Sequence, residues 1–191
     1  MLDQGTSLLP LPDREDIPAD FHHVWDHLSA TRGIGNMGNV FRSLFNNPRA
    51  LEAMTGVGGF IRLDSGLDDR LRELGIMTTA QVNRCAYEWA HHWTVATKAG
   101  MSEDFLKKIG TPAIESEPAP YGDAAKYAGQ LAAGDTPSEE LTNALIEQLG
   151  IEMFVAYTIT VAYYGALARF INVTRVPLED GVATPPFNVS A

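Results

Sequence analysis

Residues 70–92 read RLRELGIMTTAQVNRCAYEWAHH and form the most informative stretch of the chain. Apolar residues recur there at helical spacing up to Val82, and a second helical segment follows after a very short connection. At about 100° per residue, Glu88 lies roughly 60° and His92 roughly 20° from Cys85 around that second helix. The spacing predicts two adjoining helices, the second of which presents a thiol, a carboxyl and an imidazole on one face.

The first of these helices carries a fourth ionisable group, Glu73. If the two helices pack antiparallel, as the short connection indicates, Glu73 can reach His92 and hold its ring in place. All four groups can move a proton and can be tuned toward neutral pH. Two interpretations stay open from spacing alone: a catalytic cluster of Glu73, Cys85, Glu88 and His92, or a structural cysteine beside solvated or core side chains.

Aromatic and imidazole side chains near this face are the candidates for binding a substrate. We assign Tyr87, Trp89 and His91 to this role, although His91 lies about 120° from Cys85 around the helix. The long apolar segment further along the chain contributes Tyr157, whose hydroxyl could donate a hydrogen bond into the pocket.

Between its two terminal segments the rest of the chain has helical period, and no useful run of period-two alternation occurs. We therefore expect an all-α, single-domain bundle of about eight helices, with an extended arm at 1–18, a helical domain at 19–172 and a tail at 173–191. That tail either lies free or serves as an arm for a neighbouring subunit. Helical segments are expected at 19–30, 40–45, 48–63, 69–83, 85–100, 102–110, 121–133, 136–149 and 151–172, with a surface linker at 111–120.

Composition limits the partners. The 191 residues include 14 basic and 24 acidic side chains, for a formal net charge of −10, which disfavours nucleic acid and anionic membranes. One cysteine cannot form an internal disulfide, and no secretory signal is evident, so we expect a cytoplasmic protein. The uncharged stretch Met153–Ala168 is too short and polar for a membrane span and predicts a buried central helix.

Two further motifs carry less weight. In HHVWDH (residues 22–27), His23 and His27 have the spacing of two metal ligands, but nothing nearby completes a site, so we expect an exposed helix face and no metal. The glycines within residues 33–38 imitate a nucleotide loop, but no strand precedes them, so no phosphate site is expected.

The chain resembles the carboxymuconolactone decarboxylase and alkylhydroperoxidase D-like proteins. The resemblance begins near Arg32-Gly-Ile-Gly and includes Asn46-Asn-Pro48 and Leu71-Arg-Glu-Leu74. It is strongest at CAYEWAHH (85–92) and continues through Gly100-Met-Ser102. It implies an all-α fold that assembles into homo-oligomers, from dimers and trimers to hexamers, with the site near subunit contacts.

The peroxidase members of that family carry an acidic residue, then Cys-x-x-Cys twelve positions later, then a histidine. The corresponding positions here are Glu73, Cys85, Glu88 and His92, so the second cysteine of the pair is replaced by Glu88. A dithiol peroxide cycle requires two thiols, and this chain has one.

Three functional hypotheses follow. The first is cofactor-free acid-base chemistry, a decarboxylase, lyase or isomerase acting on a small organic acid or lactone, with Glu88 and His92 moving protons, Glu73 orienting His92, and Cys85 lining the pocket. The second is a thiol-dependent peroxidase in which Cys85 attacks peroxide. The third is a non-catalytic binding or assembly module.

Overall fold

The computed structural model describes residues 6–31 and 37–186, and all regular structure within these ranges is helical. The all-α prediction is thereby confirmed. The α-helices are α1 (His22–Thr31), α2 (Asn39–Leu44), α3 (Pro48–Gly59), α4 (Asp69–Val82), α5 (Ala86–Lys98), α6 (Glu103–Leu106), α7 (Tyr121–Ala133), α8 (Glu139–Leu149) and α9 (Ile151–Thr174). A π-helical turn, Phe60–Asp64, extends α3, and short 3₁₀ turns occupy Arg14–Asp16, Ala19–Phe21 and Pro112–Ser116.

Helix α4 is the centre of the molecule. It packs against α5, α7 and α9, and every residue from Leu71 to Gln81 is buried. The Asp68 side chain caps its start by accepting hydrogen bonds from the amides of Arg70 and Leu71. A helix surrounded on all sides cannot show one apolar stripe, which is why polar residues of α4 lie inside the protein.

A tight connection reverses the chain between α4 and α5. Arg84 adopts a left-handed conformation with φ of 52°, and the Cys85 amide donates to the Ala80 carbonyl at 2.8 Å. Cys85 thereby becomes the residue that precedes the first turn of α5. The two helices run antiparallel in close contact, as the short connection predicts.

Several helix boundaries differ from the sequence expectation, and α6 ends at Leu106 instead of residue 110. Helix α8 starts at Glu139 with Ser138 as its cap, two residues after the expected cap at Thr136, because the Ser138 hydroxyl accepts from the Leu141 amide. The expected surface linker at 111–120 contains a 3₁₀ turn that buries Ile114.

Helix α9 is only partly buried, so the expectation of a helix enclosed on all sides is wrong. Ile151, Val155 and Ile159 are 74%, 52% and 41% exposed and recur every four residues along one face. By length and composition α9 is long and apolar enough to cross a membrane, but its other face packs on α4, α7 and α8. The core helices of soluble proteins pass the same test of length and composition.

The tail, residues 176–186, folds back onto α5 of the same chain. The parts of the expected terminal segments at 1–5 and 187–191, and residues 32–36 of the glycine-rich loop, lie outside the described residues.

Candidate active site

A buried ion pair joins α4 to α5. The Nδ1–H of His92 donates to Oε2 of Glu73 at 2.7 Å, and the two residues are 6% and 0% exposed. The contact is the one that antiparallel packing of the two helices predicts. Because Nδ1 is hydrogen-bonded to the Glu73 carboxylate, the orientation of the His92 ring is fixed and Nε2 is the atom that can exchange a proton with another group.

Glu88 lies on the other side of the same ring. Its Oε2 is 3.4 Å from Nε2 of His92, and only 4% of the residue is exposed. One imidazole is therefore held between two carboxylates, Glu73 at Nδ1 and Glu88 at Nε2. This geometry suits proton transfer between His92 and Glu88 or a group placed between them.

The charges in this pair support one another. Burial alone would lower the pKa of His92, but the carboxylates of Glu73 and Glu88 raise it to about 9. Burial would raise the pKa of Glu73, yet the neighbouring His92 and Arg72 charges leave it below its ordinary value. The pair is thus a carboxylate and an imidazolium at neutral pH.

Arg72 extends the cluster toward the surface. Its Nε donates to Oε1 of Glu73 at 3.3 Å and its Nη1 to Oδ1 of Asp69 at 2.7 Å. Burial would raise the pKa of Glu73, and Arg62 acts with His92 and Arg72 to lower it. We call Arg72, Glu73, His92 and Glu88 the charge cluster.

Cys85 is near the charge cluster in sequence but differs from it in chemistry. The thiol is fully buried in an apolar cluster with Val40, Leu167 and Ile171. Burial and the negative charge of Glu88 raise its pKa to about 12, although a position at the start of a helix ordinarily lowers a thiol pKa. At neutral pH this cysteine is a neutral thiol.

The structure places Tyr164 of α9 against His92, a residue that the sequence analysis did not select. The two rings meet edge to face with centroids 5.1 Å apart, and burial raises the pKa of the Tyr164 hydroxyl far above its ordinary value. Tyr157, the tyrosine selected from the sequence, is fully buried and donates to the Ala124 carbonyl at 3.0 Å. Its predicted role in substrate binding stays a prediction.

Tyr87 and His91 are held by the tail rather than by the charge cluster. The Tyr87 hydroxyl and the His91 Nε2–H each donate to a different oxygen of Glu179, both at 2.7 Å, and the Asn39 amide donates to the same carboxylate. Burial would raise the pKa of Glu179, but these three hydrogen bonds keep it at about 2. Trp89, also on α5, donates from its indole to the Pro186 carbonyl at 3.0 Å.

A cavity of about 280 Å³ lies between α1, α3, the π-helical turn and α4. Arg62 and Arg72 contribute to its wall together with His27, Glu52 and Thr55. Cys85, Glu88 and His92 do not line it. The cavity therefore meets the charge cluster only through Arg72.

The histidines near the N-terminus make separate contacts. His22 Nε2 lies 3.2 Å from the Ile17 carbonyl, and His23 lies 2.9 Å from the Asp20 carbonyl and 3.6 Å from Glu52. Within the described ranges, no group of three or more His, Cys, Asp or Glu side chains is placed to hold a metal ion.

The match to a family model decides the relationship of this region to known proteins. Residues 48–133, which contain α4 and α5 and the whole charge cluster, match the model of the carboxymuconolactone decarboxylase family. Residues 48–133 belong to the carboxymuconolactone decarboxylase family. None of the curated proteins matches the chain. The match covers the segment from α3 to α7 and confirms the family resemblance predicted from the sequence.

Solved structures extend the similarity of fold to nearly the whole chain. A cysteine-to-alanine variant of the debrominase Bmp8, in complex with 2,3,4-tribromopyrrole, aligns with a TM-score of 0.77 at 16% identity, over 93% of this chain and 95% of that one. The alkylhydroperoxidase AhpD core, an uncharacterized peroxidase-related protein from Ralstonia eutropha JMP134, aligns with a TM-score of 0.76 at 20% identity, over 91% and 93%. An uncharacterized peroxidase-related protein from Silicibacter sp. TM1040 aligns with a TM-score of 0.78 at 14% identity, over 95% and 96%. At these identities the likeness shows a common fold.

Proposed function

We propose that this carboxymuconolactone decarboxylase family protein is a cofactor-free acid-base enzyme, a decarboxylase, lyase or isomerase of a small organic acid or lactone. The observation that carries the proposal is the imidazole of His92 held between Glu73 and Glu88. With a pKa of about 9, His92 is an imidazolium at neutral pH and is ready to donate a proton from Nε2.

Decarboxylation of a β-keto acid illustrates the step. The bond between the α-carbon and the carboxylate breaks, carbon dioxide leaves, and its electron pair forms an enolate. His92 transfers the Nε2 proton to that enolate, and the buried Glu73 stabilises the imidazolium before transfer. In an isomerisation, Glu88 takes a proton from one carbon and His92 returns one to another.

The site is closed in the free protein. Glu88 and His92 are 4% and 6% exposed, so substrate contact at Nε2 requires neighbouring side chains to move. Exclusion of water from such a site strengthens the electrostatic stabilisation of the enolate.

A thiol-dependent peroxidase is the second candidate, favoured by the peroxidase-related proteins among the structures of the same fold. In such an enzyme Cys85 attacks the peroxide and is oxidised, and an external thiol then reduces the oxidised Cys85. The pKa of about 12 and the complete burial of Cys85 make the thiolate scarce at neutral pH, which is why acid-base chemistry takes precedence.

Turnover of two substrate sets distinguishes the candidates. Native protein, His92→Gln, Cys85→Ser and the control His23→Gln are assayed on a panel of lactones and β-keto acids, and then on peroxide with excess small thiol. We expect turnover of a member of the carbon panel that is lost in His92→Gln and retained in Cys85→Ser and His23→Gln. Peroxide consumption lost in both Cys85→Ser and His92→Gln would establish the peroxidase instead, and full carbon-substrate turnover in His92→Gln would refute the proposed mechanism.

We also propose that the protein acts in the cytoplasm as a homo-oligomer. Exposed apolar side chains of the π-helical turn and α9 support assembly, because these two elements are in contact; Phe60, Leu63, Val155 and Ile159 are each at least 41% exposed. Light scattering after size exclusion measures the mass directly, and a monomer of 20.8 kDa would refute assembly.

A further inference from the structure

The wall of the cavity beside the charge cluster includes Arg62, a partly exposed arginine. Among residues 6–31 and 37–186, the guanidinium of Arg62 has no hydrogen bond and no ion pair. An arginine presents a planar fork of five N–H donors and stays charged at any ordinary pH. The charge of Arg62 lowers the pKa of Glu73, but neither Glu73 nor Glu52 of the cavity wall forms an ion pair with it.

Arg72 faces the same cavity with part of its donor set unused. Its Nε and Nη1 are engaged by Glu73 and Asp69, and its Nη2 makes no hydrogen bond to the described residues. Glu52, the acidic residue of the cavity wall, lies 3.6 Å from His23 rather than in an ion pair with either arginine. The wall therefore carries two arginines and one glutamate, with unused N–H donors on both arginines.

We infer that this cavity is a binding site for the carboxylate of a small organic acid, held by Arg62 with assistance from Arg72. A carboxylate matches the guanidinium fork with two parallel hydrogen bonds. A singly charged group is favoured, because Glu52 and the carboxylates already bound to Arg72 oppose a second negative charge. The volume of about 280 Å³ suits a small molecule.

The position of the cavity links binding to chemistry. Arg72 touches the cavity on one side and Glu73 on the other, and Glu73 holds His92. A carboxylate at Arg62 and Arg72 therefore lies at one end of a continuous chain of contacts that ends at the proposed acid. The identification of the bound carboxylate as part of the substrate rests on the proposed function. The binding of a carboxylate in this cavity does not depend on it.

Calorimetric titration tests the site without any need for turnover. The probes are benzoate and hexanoate, their neutral counterparts benzamide and hexanamide, and inorganic phosphate. The proteins are the native chain, Arg62→Gln and the control Arg49→Gln. Arg49 is an exposed arginine of α3 outside the cavity, and its loss changes the net charge equally. Arg62 makes no hydrogen bond in the fold, so its replacement should leave the circular dichroism spectrum unchanged.

We expect at least one of the two carboxylates to bind the native protein and to bind Arg62→Gln about tenfold or more weakly. Arg49→Gln should bind it like the native protein, and the matching amide should bind the native protein about tenfold or more weakly. No binding of either carboxylate, equal binding by Arg62→Gln, equal binding of the amide, or tighter binding of phosphate would each overturn the inference. Retained turnover in His92→Gln would refute the proposed function and leave this result intact.

Discussion

Replacement of Glu73 by glutamine should remove most of the pH dependence of stability between neutral and mildly alkaline pH. In the native protein the pKa of His92 rises from 6.5 to about 9 on folding, because Glu73 and Glu88 outweigh the opposing effect of burial. A raised pKa contributes stability that is fully present below pH 6.5 and is lost as the pH rises through 9. Glu73→Gln keeps the size of the side chain and removes the charge that supports the imidazolium.

The magnitude follows from the difference between the two pKa values. At about 1.36 kcal/mol for each pH unit, the native free energy of unfolding should fall by about 3 kcal/mol from about pH 6 to about pH 9. Cys85 contributes little below pH 9, because its pKa is 9.0 in the unfolded chain and about 12 in the fold, so its own loss of stability begins near pH 9 and continues above it. In Glu73→Gln the fall should shrink to a small fraction of the native value.

Urea unfolding followed by tryptophan fluorescence measures these free energies, since Trp89 and Trp93 lie on the same helix as His92. Glu147→Gln, which removes an exposed carboxylate of α8, is the matched control and should keep the native pH dependence. A native protein equally stable at both ends of the pH range, or a Glu73→Gln variant with the native slope, would refute the assignment of a raised His92 pKa to Glu73.

Three further perturbations test other parts of the structure. Cys85 should react with iodoacetamide very slowly in the folded protein and readily in urea, and rapid reaction of the folded protein near neutral pH would contradict the neutral buried thiol. Gly75→Ala should lower the free energy of unfolding by about 1–3 kcal/mol, because the added Cβ would lie 2.8 Å from the Tyr157 ring. In Gly129→Ala the added Cβ meets nothing closer than 4.0 Å, so this control should be neutral or stabilising. Equal effects of the two substitutions on unfolding in urea would refute this packing. Glu179 has a pKa lowered from 4.5 to about 2, so it contributes stability that is present above pH 4.5 and lost as the pH falls through 2. Glu179→Gln should therefore reduce the loss of stability on acidification. An unchanged loss would show that the tail contact is absent in solution.

The sequence predicted the helix pair at the centre of the site because its signals are local. The short connection before Cys85 and the helical spacing of Glu88 and His92 both lie within one stretch of chain. The contact between Glu73 and His92 then required only antiparallel packing. The fold class was predictable for the same reason, since helical period is read within each segment.

Contacts between distant segments were beyond the reach of periodicity. Tyr157 and Tyr164 are seven residues apart and lie on nearly the same face of α9, so spacing could not choose the one that meets His92. Glu179 lies in a tail without any period, and nothing local indicates that its carboxylate is the acceptor for Tyr87 and His91. The cavity at Arg62 depends on the packing of three helices and the π-helical turn, so it becomes visible only in three dimensions.

The hydrogen bonds of Glu179 also fix an order of events during synthesis. Asn39, Tyr87 and His91 are translated before their common acceptor, and the contact between Asn39 and Glu179 spans 140 positions. A chain that extends only to the end of α5 contains both members of the Glu73 and His92 ion pair, but it lacks residue 179, the acceptor of these three donors. The contacts of Tyr87 and His91 with Glu179 can therefore form only after nearly all of the chain has been made, and the same holds for the full burial of Glu73, because α4 also packs on α7 and α9.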